Sequence, residues 1–522
     1  MMNSSTKTQQ QEVDSAAVII IGGGLGGLCS AKRFLDEGID FVILEKSNDI
    51  GGTWRDNTYP GCACDTQSHL YSYSFAGNPN WSRRFAGWSE IKQYIDDFVE
   101  ANALERYTRL NTAMTSATFN NEKSLWSVTT SSGITYEGQY FLLATGPLHV
   151  PVIPNLKGAN NFDGHQFHTA RWDHDYSLEN KRVAIIGTGA SGVQVIPEVA
   201  KKAKKLSVFQ RSGAWVLPRN ERPYSALTKW IFRNIPFARK LYRSFLYVAN
   251  EARIFLVFQK TGGRISELLI RQYIKYQVKN KDTRQKLIPT YNLGCKRVLI
   301  SSQYYKTFNR ENVDINLDDI AAIEKNGVVT SQGDFVPVDC IIYATGFDTD
   351  PRSYLSQVPI RGSQGKLLLD AWKGGPESYY GITTPGFANF FQLIGANTGL
   401  GHNSIIFIIE CQVNLITKLI KQAKQRSVSQ VEVTSEAAKD FLDTVVNLFD
   451  GTVWDTGCRS WYHSKEGLNF SIWPASTTRF WLKTLKVREQ DFEWRKRANT
   501  GSTSVGATRE QSVSRNAALE NS

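Results

Sequence analysis

Ala17-Val-Ile-Ile-Ile21-Gly-Gly-Gly24-Leu-Gly-Gly27 decides the fold. A β-branched run passes directly into glycines spaced G-x-G-x-x-G, and a helical apolar pattern continues to Leu35. Phe41-Val-Ile-Leu-Glu45 is a second short strand, so the stretch reads as a βαβ unit. The glycine motif alone is weak, but between a strand and a helix it has a mechanism. With no side chains at Gly22, Gly24 and Gly27, a pyrophosphate can approach the backbone at the positive end of the helix.

The arrangement recurs downstream. Residues 183–186 form a strand pattern, Gly187-Thr-Gly189-Ala-Ser-Gly192 follows, and after a helical stretch residues 206–210 make the next strand. The residues closing the two second strands differ in charge. Glu45, eighteen residues beyond Gly27, can accept both ribose hydroxyls of FAD or NAD and would repel a 2′-phosphate. The matching place in the second unit is Gln210-Arg211-Ser212, where a guanidinium suits the 2′-phosphate of NADPH. The first loop is therefore expected to hold FAD and the second NADPH.

These units predict an α/β fold of two Rossmann-like dinucleotide-binding domains, the NADPH domain inserted in the FAD domain. The expected divisions are a disordered N-terminus over 1–15 and a first part of the FAD domain over 16–150. The NADPH domain follows over 151–345, with a basic helical insertion over 222–288. The second part of the FAD domain and the substrate-facing region cover 346–498, and a Ser/Thr/Gly-rich tail covers 499–522. Residues 87–105 read as an amphipathic helix, 107–143 as short alternating strands and 404–424 as an apolar helix. Tyr140-Phe-Leu-Leu-Ala-Thr-Gly146 and Asp339-Cys-Ile-Ile-Tyr-Ala-Thr-Gly346 are two strands with one ending, and prolines at 147, 151 and 154 mark a linker.

Composition narrows the class. A chain of 522 residues, 41% apolar and 21% charged, has room for two or three soluble domains. The net charge of +12 is read as attraction for anionic nucleotides rather than for nucleic acid or a membrane surface, because no arginine-rich block or nucleic-acid motif accompanies it. Cys62-Ala-Cys64 lacks C-x-x-C spacing, so neither a metal site nor a dithiol redox centre is expected, and the seven cysteines read as reduced, mostly buried thiols. The apolar run 16–21 flows into glycines and reads as a strand rather than a signal peptide; no membrane span is expected, and the location is expected to be cytoplasmic.

Two longer patterns are more specific. Phe162-Asp-Gly-His-Gln-Phe-His168-Thr-Ala-Arg-Trp172-Asp173 resembles the F-x-G-x-x-x-H-x-x-x-W-D fingerprint of type I Baeyer–Villiger monooxygenases, flavin enzymes that insert oxygen beside a ketone carbonyl. Gly51-Gly-Thr-Trp54-Arg-Asp-Asn-Thr-Tyr59-Pro60-Gly61-Cys-Ala-Cys-Asp65 is similar to a second fingerprint of that family and matches its every defined position. The resemblance runs from about residue 17 to 485, with further pieces at Gly294-Cys-Lys-Arg297, Ala344-Thr-Gly-Phe-Asp348 and Trp473-Pro474. The segments Gly399-Leu-Gly-His402-Asn-Ser and Cys458-Arg-Ser-Trp461-Tyr resemble fungal members that modify secondary metabolites.

Carried over by position, the resemblance implies that Thr53, Trp54, Asp65 and Tyr71 line the flavin. Thr188, Gly189, Ser191, Gly192 and Gln194 fall in the NADPH loop, Ser212 joins Arg211, and Lys296 approaches the nicotinamide nucleotide's phosphate. Arg297 takes the family's position beside the reactive flavin edge, where an arginine that cannot lose its proton stabilises developing negative charge. Asp65 is its expected holder, and these two are the catalytic assignment. His168 invites a general-base reading, but its place in an interdomain linker favours a packing role.

The implied reaction consumes NADPH and dioxygen and converts a ketone, expected to be a bulky secondary metabolite, into an ester or lactone. The alternative is an N- or S-oxygenating flavin monooxygenase, in whose fingerprint an aromatic other than Trp stands at the Trp172 position. A non-catalytic nucleotide-binding protein is disfavoured by the intact Arg297, Asp65 and both loops. The residues facing the ketone are expected from 352–403 and 425–475, and the oligomeric state is open.

Overall fold

The computed structural model describes residues 13–497 except 259, 459 and 465. Its frame is two parallel five-stranded sheets of the same design. In the first, Val18–Ile21 (β1), Phe41–Leu44 (β2) and Thr108–Arg109 (β3) lie side by side. Tyr140–Leu143 (β4) flanks β1 on its other edge. In the second, His165–His168 (β5), Arg182–Ile186 (β6), Lys205–Phe209 (β7), Val313–Asn316 (β8) and Cys340–Tyr343 (β9) run in the order β8-β7-β6-β9-β5, all parallel. The chain then returns to the first sheet, where Phe390–Gln392 (β10) pairs with β4. That return makes the second domain an insertion in the first.

Valine and isoleucine dominate β1, β2, β6 and β9 because both faces of these sheets are covered; all four residues of β1 are buried. The helices Leu25–Asp36 (α1) and Ala190–Lys202 (α2) leave the two glycine loops and cross back over their sheets. The shared Ala-Thr-Gly ending has a geometric cause. β4 and β9 are the strands beside the two glycine loops, and Ala144 and Ala344 are where those loops touch them. A Cβ on Gly22 would meet the Ala144 carbonyl oxygen at 2.7 Å, and one on Gly187 would meet that of Ala344 at 2.5 Å.

Three helices, Ala226–Asn234 (α3), Pro236–Val257 (α4) and Lys260–Gln277 (α5), and a short fourth, Lys281–Leu287, form the basic insertion, and Ile405–Gln425 (α6) packs against α1. Proline at the first position of α4 fits the helix start it occupies, because the N–H it lacks has no intrahelical partner there. A third sheet, built from Met114–Asn120, Leu125–Thr130 and Thr135–Gly138, leans on the first; the Trp126 indole donates to the Ala388 carbonyl across the join at 3.0 Å. Among the described residues no helix is long and apolar enough to cross a membrane.

The structure corrects three expectations. Val13–Ser15, placed above in a disordered N-terminus, pairs in parallel with Thr135–Glu137; residues 1–12 and the tail 499–522 lie outside the described residues. His165–His168 is the edge strand of the second sheet rather than linker, because its backbone pairs with β9. The cysteines are not all thiols: Cys295 and Cys458, with Cα atoms 5.7 Å apart, form a disulfide, while the other five are buried and free. Two cysteines far apart in sequence meet because the loops carrying them pack together around Phe258, Val453 and Tyr462.

Candidate active site

Both glycine loops open into one cavity of about 1480 Å³ between the two sheets. Of the site residues expected above, all but Gly27 and Gly192 line it. Those two glycines serve the turn instead. A Cβ at Gly27 would stand 2.0 Å from the Gly22 carbonyl oxygen, and one at Gly192 would stand 2.4 Å from that of Gly187. Gly24 and Gly189 are the opposite case. Each is the N-cap of its helix without a side-chain cap, a Cβ on Gly189 would meet nothing within 4 Å, and one on Gly24 would meet only Gly52. The uncapped N–H groups of α1 and α2 therefore face open space, as two pyrophosphates require.

Glu45 closes β2 with its carboxylate buried. Oε2 accepts from the Gly23 N–H at 2.7 Å; Oε1 accepts from the Ser47 N–H at 3.0 Å and from Arg55 at 3.1 Å. It shapes the loop as well as offering its remaining lone pairs to a ribose. Thr53 starts the short helix Thr53–Asp56, and the Trp54 indole donates to the Tyr71 hydroxyl at 3.1 Å. Burial pushes the Tyr71 phenol well above its ordinary value, so it stays protonated.

Across the cavity, the Thr188 hydroxyl donates to the Ser212 carbonyl at 3.2 Å, and Lys296 Nζ donates to Ser212 Oγ at 2.9 Å. The Lys296 ammonium lies 4.6 Å from the centre of the Tyr291 ring. Burial and the neighbouring charge of Arg211 lower its pKa. Two cations that repel each other at a cavity wall are a site for an anion such as a 2′-phosphate. Gln194 bonds protein instead. Its Nε2 donates to the Ala63 carbonyl at 2.9 Å and its Oε1 accepts from the Tyr59 hydroxyl at 2.9 Å. Its amide thus ties α2 to the second fingerprint. The residues present fit FAD in the first half and NADPH in the second.

Arg297 and Asp65 meet between the halves. Nε and Nη2 donate to the two carboxylate oxygens at 2.7 Å each, and Nη1 donates to the Leu400 carbonyl at 3.0 Å. The Arg297 side chain keeps 31% of its surface and Asp65 keeps 23%, so the pair is half-buried. Burial acts to raise the Asp65 pKa, yet the Arg297 charge and its two hydrogen bonds hold it below the usual carboxylate range. The Asp65 charge raises the guanidinium above its already high value. The disulfide anchors this stretch, joining Cys295 to the loop that brings Trp461 and Tyr462 to the cavity.

The first fingerprint supplies structure rather than chemistry. His165 Nε2 and Asp173 Oδ2 are 2.8 Å apart, and Trp172 packs edge-on to Phe167. His168 is buried off the cavity wall; its Nδ1 accepts from the Ala170 N–H at 3.0 Å, and burial pushes its pKa down to about 4. The fingerprints touch where Thr58 bonds His174 at 2.8 Å, one residue past Asp173. Tyr291 and Ile409 line the wall outside every stretch expected to face the ketone, whereas Tyr354 and Leu400 fall in 352–403 and Phe470 in 425–475. Of the stretch 425–475, only 460–462 and 470–472 reach the cavity.

Known proteins agree with this geometry. The flavin-binding monooxygenase-like family matches residues 15–358. A Baeyer–Villiger monooxygenase of Pseudomonas aeruginosa is 40% identical over 467 residues, covering 88% of each chain. One from Streptomyces coelicolor is 37% identical over 478 residues, covering 91% of each. The solved structure of an oxidized steroid monooxygenase bound to NADP superposes with a TM-score of 0.83 at 28% identity, over 92% of this chain and all of that one. The chain belongs to the flavin-binding monooxygenases, in their Baeyer–Villiger branch: it is an enzyme that uses FAD and NADPH to insert oxygen beside a ketone carbonyl.

Proposed function

We propose that the enzyme converts a bulky, apolar ketone and dioxygen into an ester or lactone in the cytoplasm, with Arg297 and Asp65 as its catalytic pair. The observation that carries this reading is the Arg297 fork on Asp65 in the wall shared by both nucleotide halves. Bound FAD supplies the passage of electrons from NADPH to dioxygen and so the oxygen that enters the ketone. Gly22, Gly24 and the N-terminus of α1 hold its pyrophosphate, and Glu45 takes a ribose hydroxyl. Thr53, Trp54 and Tyr71 would line the flavin. Thr188, Gly189, Ser191 and the N-terminus of α2 hold the pyrophosphate of NADPH, while Arg211, Ser212 and Lys296 take its 2′-phosphate.

Three of the five N–H donors of Arg297 are engaged by protein, and two remain for the reacting oxygens. Attack on the ketone puts negative charge on its carbonyl oxygen, and a fixed guanidinium stabilises that charge without giving up a proton. Asp65 keeps the fork oriented. The wall around Leu400, Ile405, Ile409, Phe470 and Ile472 is apolar, so it favours an apolar ketone and excludes water from the reacting centre. Gln194 with Tyr59 and Thr58 with His174 hold the two domains closed around it.

The experiment is a competition. The FAD-loaded enzyme is given NADPH, dioxygen, a polycyclic ketone and a thioether together, and the products are read by mass spectrometry. Ketone-derived ester or lactone is expected in excess. Sulfoxide without ester would make the enzyme a heteroatom oxygenase instead.

A further inference from the structure

The helical insertion has two faces of opposite character. The inner face of α4 is committed to the site. Arg243 donates to the carbonyls of His69 and Ser72 at 2.6 and 3.0 Å, Asn250 pairs with Gln67, and Glu251 takes His402 and Asn403 at 3.2 and 2.7 Å. The outer face is apolar and uncovered. Phe237, Leu241, Phe245 and Val248 recur at helical spacing along α4 and are 72%, 60%, 63% and 64% exposed. Ile265, Leu268, Leu269 and Tyr276 make a second exposed stripe on α5, and Leu227 and Trp230 extend the surface onto α3. Apolar surface of this extent marks an interaction face.

Charge decides what covers it. Residues 222–288 hold fifteen Lys and Arg against three Asp and Glu, so the whole +12 excess of the chain lies in this segment. Lys240, Arg264 and Lys275 are exposed on the same helices as the stripes. Docking on a second copy would bring two such segments together, and they would repel. A polyanion in water matches the charge and leaves the aromatic and leucine side chains unburied. An anionic lipid surface matches both.

We propose that the helical insertion is a peripheral membrane-binding surface. Its apolar stripes enter the headgroup boundary of an anionic bilayer, and its Lys and Arg side chains meet the headgroup charges. The helices lie in the plane of the surface, which requires no spanning segment. The surface then sits directly behind the loops at 67–72 and 401–403 that the inner face of α4 holds.

The test is flotation of the full-length, FAD-loaded enzyme with phosphatidylcholine vesicles, with and without about 30% phosphatidylserine. Binding is expected to the anionic vesicles and to fall at least tenfold between roughly 0.1 and 0.5 M salt. A Phe237→Ser, Leu241→Ser, Phe245→Ser triple variant should lose at least tenfold in vesicle binding while oxidising NADPH with a water-soluble ketone at the wild-type rate. Lys240→Gln with Lys275→Gln should weaken binding roughly fivefold per residue changed. No binding to either vesicle overturns the proposal, and so does undiminished binding by the triple variant. It is also overturned if light scattering finds a wild-type dimer that the triple variant cannot form. Equal, salt-sensitive binding of wild type and triple variant to a DNA duplex, without vesicle binding, would assign the charge to nucleic acid.

Discussion

Arg211 stands at the one place where the two nucleotide halves must differ. A charge-assisted hydrogen bond contributes roughly 1.5–3 kcal/mol, so Arg211→Ala should raise KM for NADPH by about 10- to 100-fold and leave KM for NADH nearly unchanged. Equal effects on the two, measured by steady-state kinetics, would remove Arg211 from the phosphate site. Asp65 makes a second case. Asp65→Asn keeps the shape and removes the charge that orients Arg297. Ester formation should then fall at least tenfold while flavin reduction by NADPH stays within a few-fold. Breaking a fully buried pair costs about 3–5 kcal/mol; this one is partly exposed, so the loss of stability should be smaller, which thermal denaturation reads directly. Residue position was legible here where a motif fixes it: Glu45, Arg211 and the glycines each follow from spacing within their own βαβ unit. The partnership of Asp65 with Arg297 spans 232 positions, and only the family resemblance suggested it.

At the scale of elements, the two strand–loop–helix units can be perturbed separately. A Cβ at Gly189 meets nothing, so Gly189→Val should fold with normal FAD content and fail to be reduced by NADPH. Loss of FAD along with reduction would contradict the division of the two loops. The clamp from α4 to the loop at 401–403 is testable by pH. Burial alone would raise the Glu251 pKa, but hydrogen bonds from His402, Thr477 and Asn403 bring it down to about 2. A carboxylate lowered from ~4.3 when unfolded stabilises the fold fully above that value and loses its contribution as pH falls toward 2. The stability gap between wild type and Glu251→Gln should therefore be on the order of 3 kcal/mol at neutral pH and shrink toward zero in acid. A gap independent of pH would contradict the clamp. None of this was visible in the chain, because Glu251 meets His402 only once α4 has folded back over the site. The same holds for Cys295 and Cys458: spacing rules address neighbours, whereas packing joined these loops.

The whole molecule is two copies of one architecture facing a common cavity, and this much the glycine loops and the repeated Ala-Thr-Gly ending made readable. The wall that meets the ketone was legible only as the two broad stretches 352–403 and 425–475, because the turns near 354, 400 and 470 that build it share no period. Acid should loosen the assembly before the Glu251 carboxylate titrates. Burial holds His69 and His168 neutral, with pKa values of about 4. The unfolded chain binds protons at both below pH ~6.5, so stability should fall between pH ~6.5 and 4. His168→Asn should flatten part of that slope in denaturant titrations; an unchanged slope would mean the imidazole is not buried neutral. Both domains then converge on one side chain, Arg297, and its variant decides the account. In single-turnover experiments Arg297→Ala should bleach its flavin with NADPH at close to the wild-type rate while ester formation falls by about a hundredfold or more. Ester formation within tenfold of wild type would contradict the assignment of Arg297 as the group that stabilises charge on the reacting ketone.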